Sequence, residues 1–405
     1  MAPARLEIRN VTILVVSQTL FIIAMVTVMT LSGVIGQRLS PTPGLATLPV
    51  AIMMLGTVLS TLPASLYMKH VGRRRGFITG AALGGVGGGL VSVAGVAMND
   101  FWIFCTGNLL LGVYQGFAMY YRFAAVDVAS PAFRSRAISL VLAGGIAAAF
   151  LGPWNASGAR DLITGVPSGG PYLLIALLAL VAIGLLSQLD VPESGEPRSG
   201  DLSRPMHAIA RQPSFAVAVL AGALGYAVMT LVMTATPLAM RAEGYAMEQV
   251  AFIMQWHVLG MFAPSFVTGS LITRFGIAPM LLAGAALLAA SAGVAVMGMS
   301  LTHFWVALVL LGLGWNVLFV GGSALLSGVH SKTERGKVQG TNDLIIFSLV
   351  ALGALLAGQF LHWLGWRGLN LAMLPAALAV AVAVLWYRGQ RAVRRDTRAA
   401  PLSDR

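Results

Sequence analysis

The chain carries the stretch GRRRGFITGAAL at residues 72–83, and a related stretch, GIAPMLLAGAAL, follows at residues 276–287. Both begin with glycine, both end in Gly-Ala-Ala-Leu, and each joins one long apolar run to the next. A membrane protein made of two similar halves can hold a site at their interface and rock the halves about it. The repeat therefore predicts two related halves and favours carriage of a solute across a membrane.

Long apolar runs fill most of the chain. Of its 405 residues, 57% are hydrophobic and only 10% are charged, whereas soluble proteins carry roughly 25% charged residues. A helix needs about 20 apolar residues to cross a bilayer. Twelve runs meet that need, and they are named below, in this order, as the first to the twelfth span: 11–36, 46–68, 76–98, 103–128, 137–159, 171–189, 213–238, 247–272, 278–299, 304–328, 340–362 and 368–387.

A polar break separates the sixth span from the seventh. It predicts four parts of the chain: an N-terminal six-helix bundle at 1–189, a cytoplasmic linker at 190–212, a C-terminal six-helix bundle at 213–388 and a basic tail at 389–405. The sequence has no Walker-type phosphate loop, so ATP-driven transport is not expected. Cys105 is the single cysteine, which excludes an internal disulfide and a cysteine metal cluster.

The apolar runs show no pattern typical of an enzyme. Zinc-type histidine spacing, a nucleophile beside a base and a pair of aspartates are all missing from them. These are the side-chain combinations from which a catalytic site is normally recognised. We therefore expect no enzymatic activity, no cofactor and no metal.

Basic residues crowd one side of the predicted topology. The formal net charge of +12 would also suit a nucleic-acid-binding protein. Yet 21 of the 26 basic residues fall on the side that holds both termini, four fall on the other side, and Arg122 lies within a span. This asymmetry is the positive-inside pattern of membrane proteins. It predicts a multi-pass protein of the cytoplasmic (inner) membrane with both termini in the cytoplasm and no nucleic acid as a partner. Lipid as a partner and a monomer as the working unit are separate expectations.

These features resemble the major facilitator superfamily over essentially the whole chain. The most recognisable signature of that family lies between the second and third helices: Gly, three residues, Asp, two residues, Gly and two basic residues. The matching positions here are Ser65, Lys69, Gly72, Arg73 and Arg74. The copy in the second half keeps Gly269 and Gly276 and has Thr273 at the acid position. The resemblance implies an all-α integral membrane fold of 12 transmembrane helices in two pseudo-symmetric six-helix bundles.

The resemblance also implies a conformational latch. In the family the basic loop is held by an acid at the inner end of the fourth helix, and Asp127 occupies such a place. The expected latch consists of Gly72, Arg73, Arg74, Asp127 and Gly276. Two alternatives stay open: a static salt bridge without consequence for gating, and a direct role of Asp127 in binding substrate or protons.

Two exporter signatures of the family are matched only in part. The fifth span contains Gly152-Pro153, which resembles the exporter pattern, but the glycine pair that usually follows is absent. The fourth span has Gly112 where exporters carry an arginine. The first feature favours export and the second favours uptake.

The fourth span carries a polar stripe. Asn108, Gln115 and Arg122 are seven residues apart, which places them on one face with a drift of ~20° per step, and Tyr121 flanks Arg122. In this family the first, fourth, seventh and tenth helices line the cavity, so the stripe is expected to face it. For Arg122, a structural ion pair and snorkelling to the interface remain as alternatives. Further cavity candidates, each of which also suits helix packing, are Gln18, Tyr226, Trp315 and Asn316.

Few ionisable groups lie inside the spans, where such groups are costly and therefore informative. His257 is the one histidine deep in a span, and it suits either proton coupling or a hydrogen-bonded packing role. Asp343 begins the eleventh helix, either as an N-terminal cap or as an inner-gate partner. As a gate residue it would pair with Arg122 or with the basic residues Arg335 and Lys337 of the preceding loop. No carboxylate falls at the middle of the bilayer.

The sequence as a whole predicts a secondary active transporter that moves a small organic solute by alternating access. Proton-coupled efflux of a drug-like compound or metabolite is the slightly favoured form. The alternatives are an uptake carrier or facilitator for a neutral or amphipathic nutrient such as a vitamin, and a non-transporting membrane receptor or scaffold.

Overall fold

The computed structural model describes residues 3–130, 133–191, 204–331 and 334–399, and within these ranges the chain forms helices and connections without a β-strand. Residues 192–203 of the predicted linker and residues 400–405 of the predicted tail lie outside the described residues. We call residues 3–191 the N-terminal half and residues 204–399 the C-terminal half. The predicted all-α membrane fold is confirmed by the helices and by the relatives reported below.

Each predicted span overlaps one or more helices, but several helices begin or end well away from the predicted bounds: the first begins at Pro3 instead of residue 11, and the last ends at Ala399 instead of residue 387. The N-terminal half contains Pro3–Leu39, Leu48–Val71, Arg73–Gly80, the π-helical turn Ala81–Gly87, Gly88–Ala97, Phe101–Ala118, Tyr121–Val128, Arg134–Gly158 and Gly170–Leu186. The C-terminal half contains Met206–Ala210, Pro213–Ala242, Met247–Phe262, Ser265–Phe275, Ile277–Met297, Leu301–Ser327, Arg335–Leu371 and Leu374–Ala399.

In the described part of the chain, eight helices are long and apolar enough to cross a membrane. A ninth is formed if Met247–Phe262 and Ser265–Phe275, which meet at a bend of 42°, are one broken span. One of the eight, Lys337–Gln390, contains both the eleventh and the twelfth predicted spans, and its regular backbone is interrupted at Gly365 (φ 65°, ψ −179°). The number of twelve crossings stays a prediction.

The repeat in the sequence is also a repeat of backbone geometry. Gly72 (φ 83°, ψ 157°) ends Leu48–Val71 and begins the next helix. Gly276 (φ 87°, ψ 158°) does the same after Phe275. This combination of angles is essentially restricted to glycine. The two glycines therefore set the same sharp turn between helices in both halves.

The two halves contact each other at the end of the molecule opposite the termini. The Thr47 hydroxyl accepts a hydrogen bond from the Gly358 backbone nitrogen (3.0 Å) and donates one to the Leu355 carbonyl (3.4 Å). Nearby, Gly33 of the first span approaches the Thr234 carbonyl and the Leu238 side chain of the seventh span. A Cβ atom built on Gly33 would lie 3.7 Å from each of them. The second and eleventh spans, and the first and seventh, are thus in close contact at this end.

Candidate functional site

A cavity of about 200 Å³ lies between the two halves. Eleven of its lining residues come from the N-terminal half and ten from the C-terminal half. They lie on the first, second, fourth and fifth spans and on the seventh, eighth, tenth and eleventh spans. A site shared in this way changes shape whenever the halves move relative to each other.

Five of the eight predicted cavity residues line this space. They are Gln18, Gln115, Arg122, Tyr226 and Trp315. The polar members from the N-terminal half lie on two helical faces: Gln115 with Arg122 on the fourth span, and Gln18 on the first. The Gln115 amide oxygen accepts a hydrogen bond from the Thr57 hydroxyl (3.1 Å), which fixes one end of the amide and leaves the other for a ligand.

Aromatic rings crowd the C-terminal side of the cavity. Tyr226 packs edge-on against Trp315 (5.2 Å between centroids), Phe319 (5.7 Å) and Phe347 (5.9 Å). Trp315 and Phe319 stack nearly parallel, 5.1 Å apart and inclined by 11°. Phe262 adds an edge contact to Trp315 at 6.1 Å. The indole nitrogen of Trp315 is buried and has no hydrogen-bond partner among the described residues.

Most of the cavity residues that the sequence did not reveal are methionines and phenylalanines; the phenylalanines are Phe21, Phe262, Phe319 and Phe347. Seven methionines line the cavity: Met25, Met29, Met54, Met119, Met229, Met233 and Met261. A spacing signal was present, because the first two lie seven and eleven residues after Gln18, and Met229 and Met233 lie three and seven residues after Tyr226. Such spacings place side chains on one helical face. Thioether side chains are flexible and polarisable, so they adapt to the shape of an apolar ligand.

Three predicted cavity residues lie outside the lining. Asn108 is fully buried and is held by the Ser32 hydroxyl (2.9 Å) and by the Phe104 carbonyl (2.9 Å). Tyr121 is also fully buried, and its ring packs on Phe77 at 4.7 Å. The angular drift of the stripe explains why Asn108 lies outside the lining. Two steps of seven residues turn Asn108 ~40° around the helix from Arg122.

Asn316, the third of these, holds the bend in the eighth span. Its amide nitrogen donates to the Met261 carbonyl (2.7 Å) and to the Ser265 hydroxyl (2.7 Å), and its oxygen accepts from the Thr268 hydroxyl (2.7 Å). The helix break at Pro264 frees the Met261 carbonyl from its usual partner. A freed backbone group inside a membrane protein needs such a replacement.

Arg122 connects the cavity to the C-terminal half. Its guanidinium lies 3.8 Å from the Asp343 carboxylate and 4.8 Å above the Phe123 ring. Its Nε atom is buried and has no hydrogen-bond partner among the described residues. The ion pair is long and both side chains are about one-third exposed, so Arg122 keeps donors for a ligand.

Two of the predicted latch residues, Arg73 and Asp127, are in contact. Arg73 and Asp127 form an ion pair at 2.7 Å, and each side chain is about one-quarter exposed. Arg74 is exposed. Gly72 sets the turn that begins the Arg73 helix, and Gly276 sets its counterpart in the C-terminal half.

His257 lies away from the cavity lining and is fully buried. Its Nδ1 atom donates to the Leu308 carbonyl at 2.8 Å, and its Nε2 atom has no partner among the described residues. This contact joins the eighth and tenth spans.

The fourth span has no space for an arginine side chain at position 112, where exporters of the family carry one. A Cβ atom at this position would overlap the Met53 carbonyl oxygen of the second span. The fourth and second spans therefore approach too closely for any side chain here. Thr57 reinforces the contact with a hydrogen bond to the Gly112 carbonyl (3.2 Å).

The end of the linker is fixed to the C-terminal half by a contact that the sequence did not reveal. Arg204 donates to Glu334 from Nε (2.8 Å), from a terminal nitrogen (2.7 Å) and from its backbone nitrogen (2.9 Å). The Ser331 backbone nitrogen adds a fourth hydrogen bond to this carboxylate (2.9 Å). The Arg204 side chain, followed by the Ser331 amide, holds the pKa of Glu334 well below its usual range. Nothing in the sequence marks this pair, which is 130 residues apart.

Comparison with known proteins gives relatives over the whole chain. The model of the Major Facilitator Superfamily matches residues 14–254 and 218–403. The riboflavin transporter RfnT of Brucella anthropi is 42% identical over 379 residues, which are 93% of this chain and 95% of that protein. The uncharacterized MFS-type transporter YdeG of Bacillus subtilis is 30% identical and covers 89% of this chain and 87% of its own length.

A solved structure agrees in fold. The human organic anion transporter MFSD10 (TETRAN) superimposes with a TM-score of 0.68 over 93% of this chain and 99% of its own, at 16% identity. At that identity the likeness concerns the fold alone. The family match, the identity to RfnT and the apolar helices together identify the chain as a multi-pass membrane protein that belongs to the Major Facilitator Superfamily of transporters.

Proposed function

We propose that this protein is a secondary active transporter that takes up riboflavin, or a close flavin relative, by alternating access. The observation that carries the proposal is the 42% identity to a riboflavin transporter over 93% of the chain. The cavity supports it, because it lies between the halves and is lined mainly by aromatic, aliphatic and thioether side chains. Such a lining suits a flat aromatic vitamin of low charge.

Uptake is favoured over efflux of a drug-like compound. The exporter arginine is absent, and at Gly112 the second span leaves no room for a side chain. The Gly152-Pro153 pair also has a packing role that is independent of export, since Gly152 fits closely against Val26 of the first span. Proton coupling through His257 stays a prediction, and no carboxylate lines the cavity within the described residues.

The ion pairs suggest how access to the cavity alternates between the two ends of the protein. Arg122–Asp343 joins the halves beside the cavity, while Arg73–Asp127 holds the basic turn to the fourth span. We assign the first to an inner gate and the second to the latch. In this arrangement Thr47 and Gly358 close the opposite, outer end.

The proposed topology follows the basic residues. Both termini lie in the cytoplasm, the chain crosses the inner membrane twelve times, and the bundles extend over residues 1–189 and 213–388 with a linker at 190–212 and a tail at 389–405. The protein works as a monomer and has no enzymatic activity.

The test is uptake of radiolabelled riboflavin by proteoliposomes, with and without an imposed pH gradient. Saturable uptake above that of protein-free liposomes supports the proposal. Accumulation that collapses with a protonophore establishes proton coupling, and simple equilibration indicates a facilitator. Absence of riboflavin flux in both directions, from correctly inserted protein, contradicts the proposed substrate. A His257→Gln variant then separates coupling from packing, because loss of accumulation with retained exchange indicates coupling.

A further inference from the structure

The cavity has two chemically different walls, one from each half. Gln18, Gln115 and Arg122 supply amide and guanidinium groups from the N-terminal half, and we call them the polar wall. The aromatic wall consists of five rings from the C-terminal half: Tyr226, Phe262, Trp315, Phe319 and Phe347. The N-terminal half contributes a single ring, Phe21. A ligand that touches both walls must therefore have an apolar side and a polar edge.

The aromatic wall presents ring surfaces to a flat ligand. Its rings already meet one another edge-on or stacked, at centroid distances of 5.1–6.1 Å. These arrangements are the favourable ones for aromatic pairs, and a ligand ring can join them. The Trp315 indole nitrogen is a buried donor without a partner among the described residues. The part of Trp315 that lines the cavity therefore offers a ring surface to the ligand.

The polar wall has hydrogen-bonding capacity to spare. One end of the Gln115 amide is bonded to Thr57 and the other end is open to a ligand. Arg122 has a buried Nε atom without a partner among the described residues. The open end of the Gln115 amide is its nitrogen, and Arg122 carries only N–H groups, so both residues are donors. They match the two carbonyl oxygens that flank the imide nitrogen at one edge of a flavin ring.

The charge of the cavity is close to zero. Arg122 is the one ionisable side chain among the described lining residues that carries a charge at neutral pH, and Asp343 lies 3.8 Å from it. A phosphate monoester carries about −1.5 to −2 charges at pH 7. Such a group would meet a single shared cation and the nearby carboxylate in surroundings of low dielectric, where an unbalanced charge is costly.

Resting on the proposed riboflavin transport, we propose that the flavin binds in one fixed orientation across the two halves and that its 5′-phosphate is rejected. The dimethylbenzene end of the ring lies on the aromatic wall, and the carbonyl-bearing edge is hydrogen-bonded by Gln115 and Arg122. Because one ligand then holds both halves, its binding favours the state in which they close around it.

Calorimetric titration of the purified protein in detergent tests the orientation. The ligands are riboflavin, lumiflavin (the ring without the ribityl chain), lumiflavin methylated at the imide nitrogen, riboflavin 5′-phosphate and ribitol. Lumiflavin is expected to bind within about tenfold of riboflavin, and ribitol not to bind, because the ring supplies most of the contact area. The 5′-phosphate is expected to bind at least about tenfold more weakly than riboflavin, since its charge is unmatched.

Two variants with matched controls test the contribution of each wall to ligand affinity separately. Trp315→Leu is expected to weaken all the ring ligands by about tenfold or more, because it removes a stacking surface. Gln115→Met is expected to reduce the difference between lumiflavin and its imide-methylated form. The methyl group keeps the neighbouring carbonyl oxygens away from the Gln115 amide nitrogen, and the variant has no such contact to lose. Trp363→Phe and Gln188→Met, both at exposed positions, are the controls and should bind as the wild type does.

The outcomes separate the inference from the proposed function. If no ring ligand binds the folded wild-type protein, the riboflavin proposal is wrong. If the rings bind but the methyl group costs the same in wild type and Gln115→Met, the orientation is wrong. Equal affinity for riboflavin and its 5′-phosphate contradicts the proposed rejection of the phosphate and leaves the proposed orientation standing.

Discussion

At the scale of the residue, Arg122 has two competing uses. It faces the cavity and it pairs with Asp343 of the other half at 3.8 Å. A ligand carbonyl and the Asp343 carboxylate therefore draw on the same guanidinium. In the proposed binding mode, the ligand replaces part of the Arg122–Asp343 contact with its own contacts to both halves, so ligand binding and the proposed inner gate are coupled.

Substitutions of Asp343 and of Arg122 should consequently change the affinity for riboflavin in opposite directions. Asp343→Asn frees Arg122 for the ligand and is expected to tighten riboflavin binding by about threefold, while Arg122→Gln should weaken it by about tenfold, the cost of a charged hydrogen bond. Equilibrium titration of both variants provides the measurement. A purely structural ion pair would instead give affinity changes of the same sign.

Several of these residues could be predicted from the sequence and others could not. The spacing of Gln115 and Arg122 was enough to predict that both face the cavity, because seven residues nearly complete two helical turns. Asn108 extends the pattern beyond its accuracy and is buried against Ser32 instead. The methionines escaped notice because an apolar residue in an apolar helix looks like packing until the cavity is known. Glu334 was unpredictable, since its partner is distant in sequence.

At the scale of the element, the turns at Gly72 and Gly276 are obligatory glycine positions. Their angles belong to a region that other residues enter at a cost of order 1–3 kcal/mol. Gly72→Ala and Gly276→Ala should each lower the free energy of unfolding by that amount, as measured by thermal unfolding in detergent. Gly269→Ala is the control, because that helical glycine has open space around it. An unchanged unfolding temperature in both turn variants would contradict the strain argument.

The latch is tested by neighbouring arginines. Arg73 pairs with Asp127 at 2.7 Å, whereas Arg75 is exposed on the same helix. A partly exposed ion pair contributes roughly 0.2–1 kcal/mol, so Arg73→Ala and Asp127→Asn should slow turnover about two- to fivefold with little change in substrate affinity. Arg75→Ala should leave the rate unaltered. Loss of affinity at constant maximal rate would make Asp127 a binding residue.

The contact between Arg204 and Glu334 has a defined pH dependence. Because the pKa of Glu334 is lowered in the folded state, its contribution to stability is complete above the unfolded value of ~4.3 and falls as the pH drops through the folded value. We expect Glu334→Gln to unfold at a lower temperature than wild type, by a constant margin from pH 8 to about 5 and by a shrinking one below about 4. A margin that grows on acidification would contradict this assignment.

At the scale of the whole molecule, the fold was predictable because the length of the apolar runs follows from the thickness of the bilayer and the repeat marks two similar halves. The contact between the halves at the outer end was not predictable, since it joins Thr47 to Gly358, two residues that are distant in sequence. A Cβ at Gly358 would lie 2.9 Å from the Thr47 hydroxyl oxygen. This end can close tightly only while residue 358 lacks a side chain.

Gly358→Val is therefore expected to hold the outer end open. In a Cys105→Ala background with a cysteine introduced by Met29→Cys, reaction with a membrane-impermeant thiol reagent from outside should accelerate several-fold. Gly340→Val provides the control, since that glycine of the same helix has free space around it. Equal labelling rates in the two valine variants would show that the contact does not control access.

The seven thioethers of the cavity have a consequence for cells under oxidative stress. Oxidants convert methionine into a polar, chiral sulfoxide, and reductases reverse the change. Each sulfoxide in this lining would replace an adaptable apolar surface with a strong dipole, so a flat vitamin would lose contact area where it is needed most. In the proposed riboflavin transport, uptake would then depend on the oxidation state of these methionines, and their enzymatic reduction would restore it without new protein synthesis.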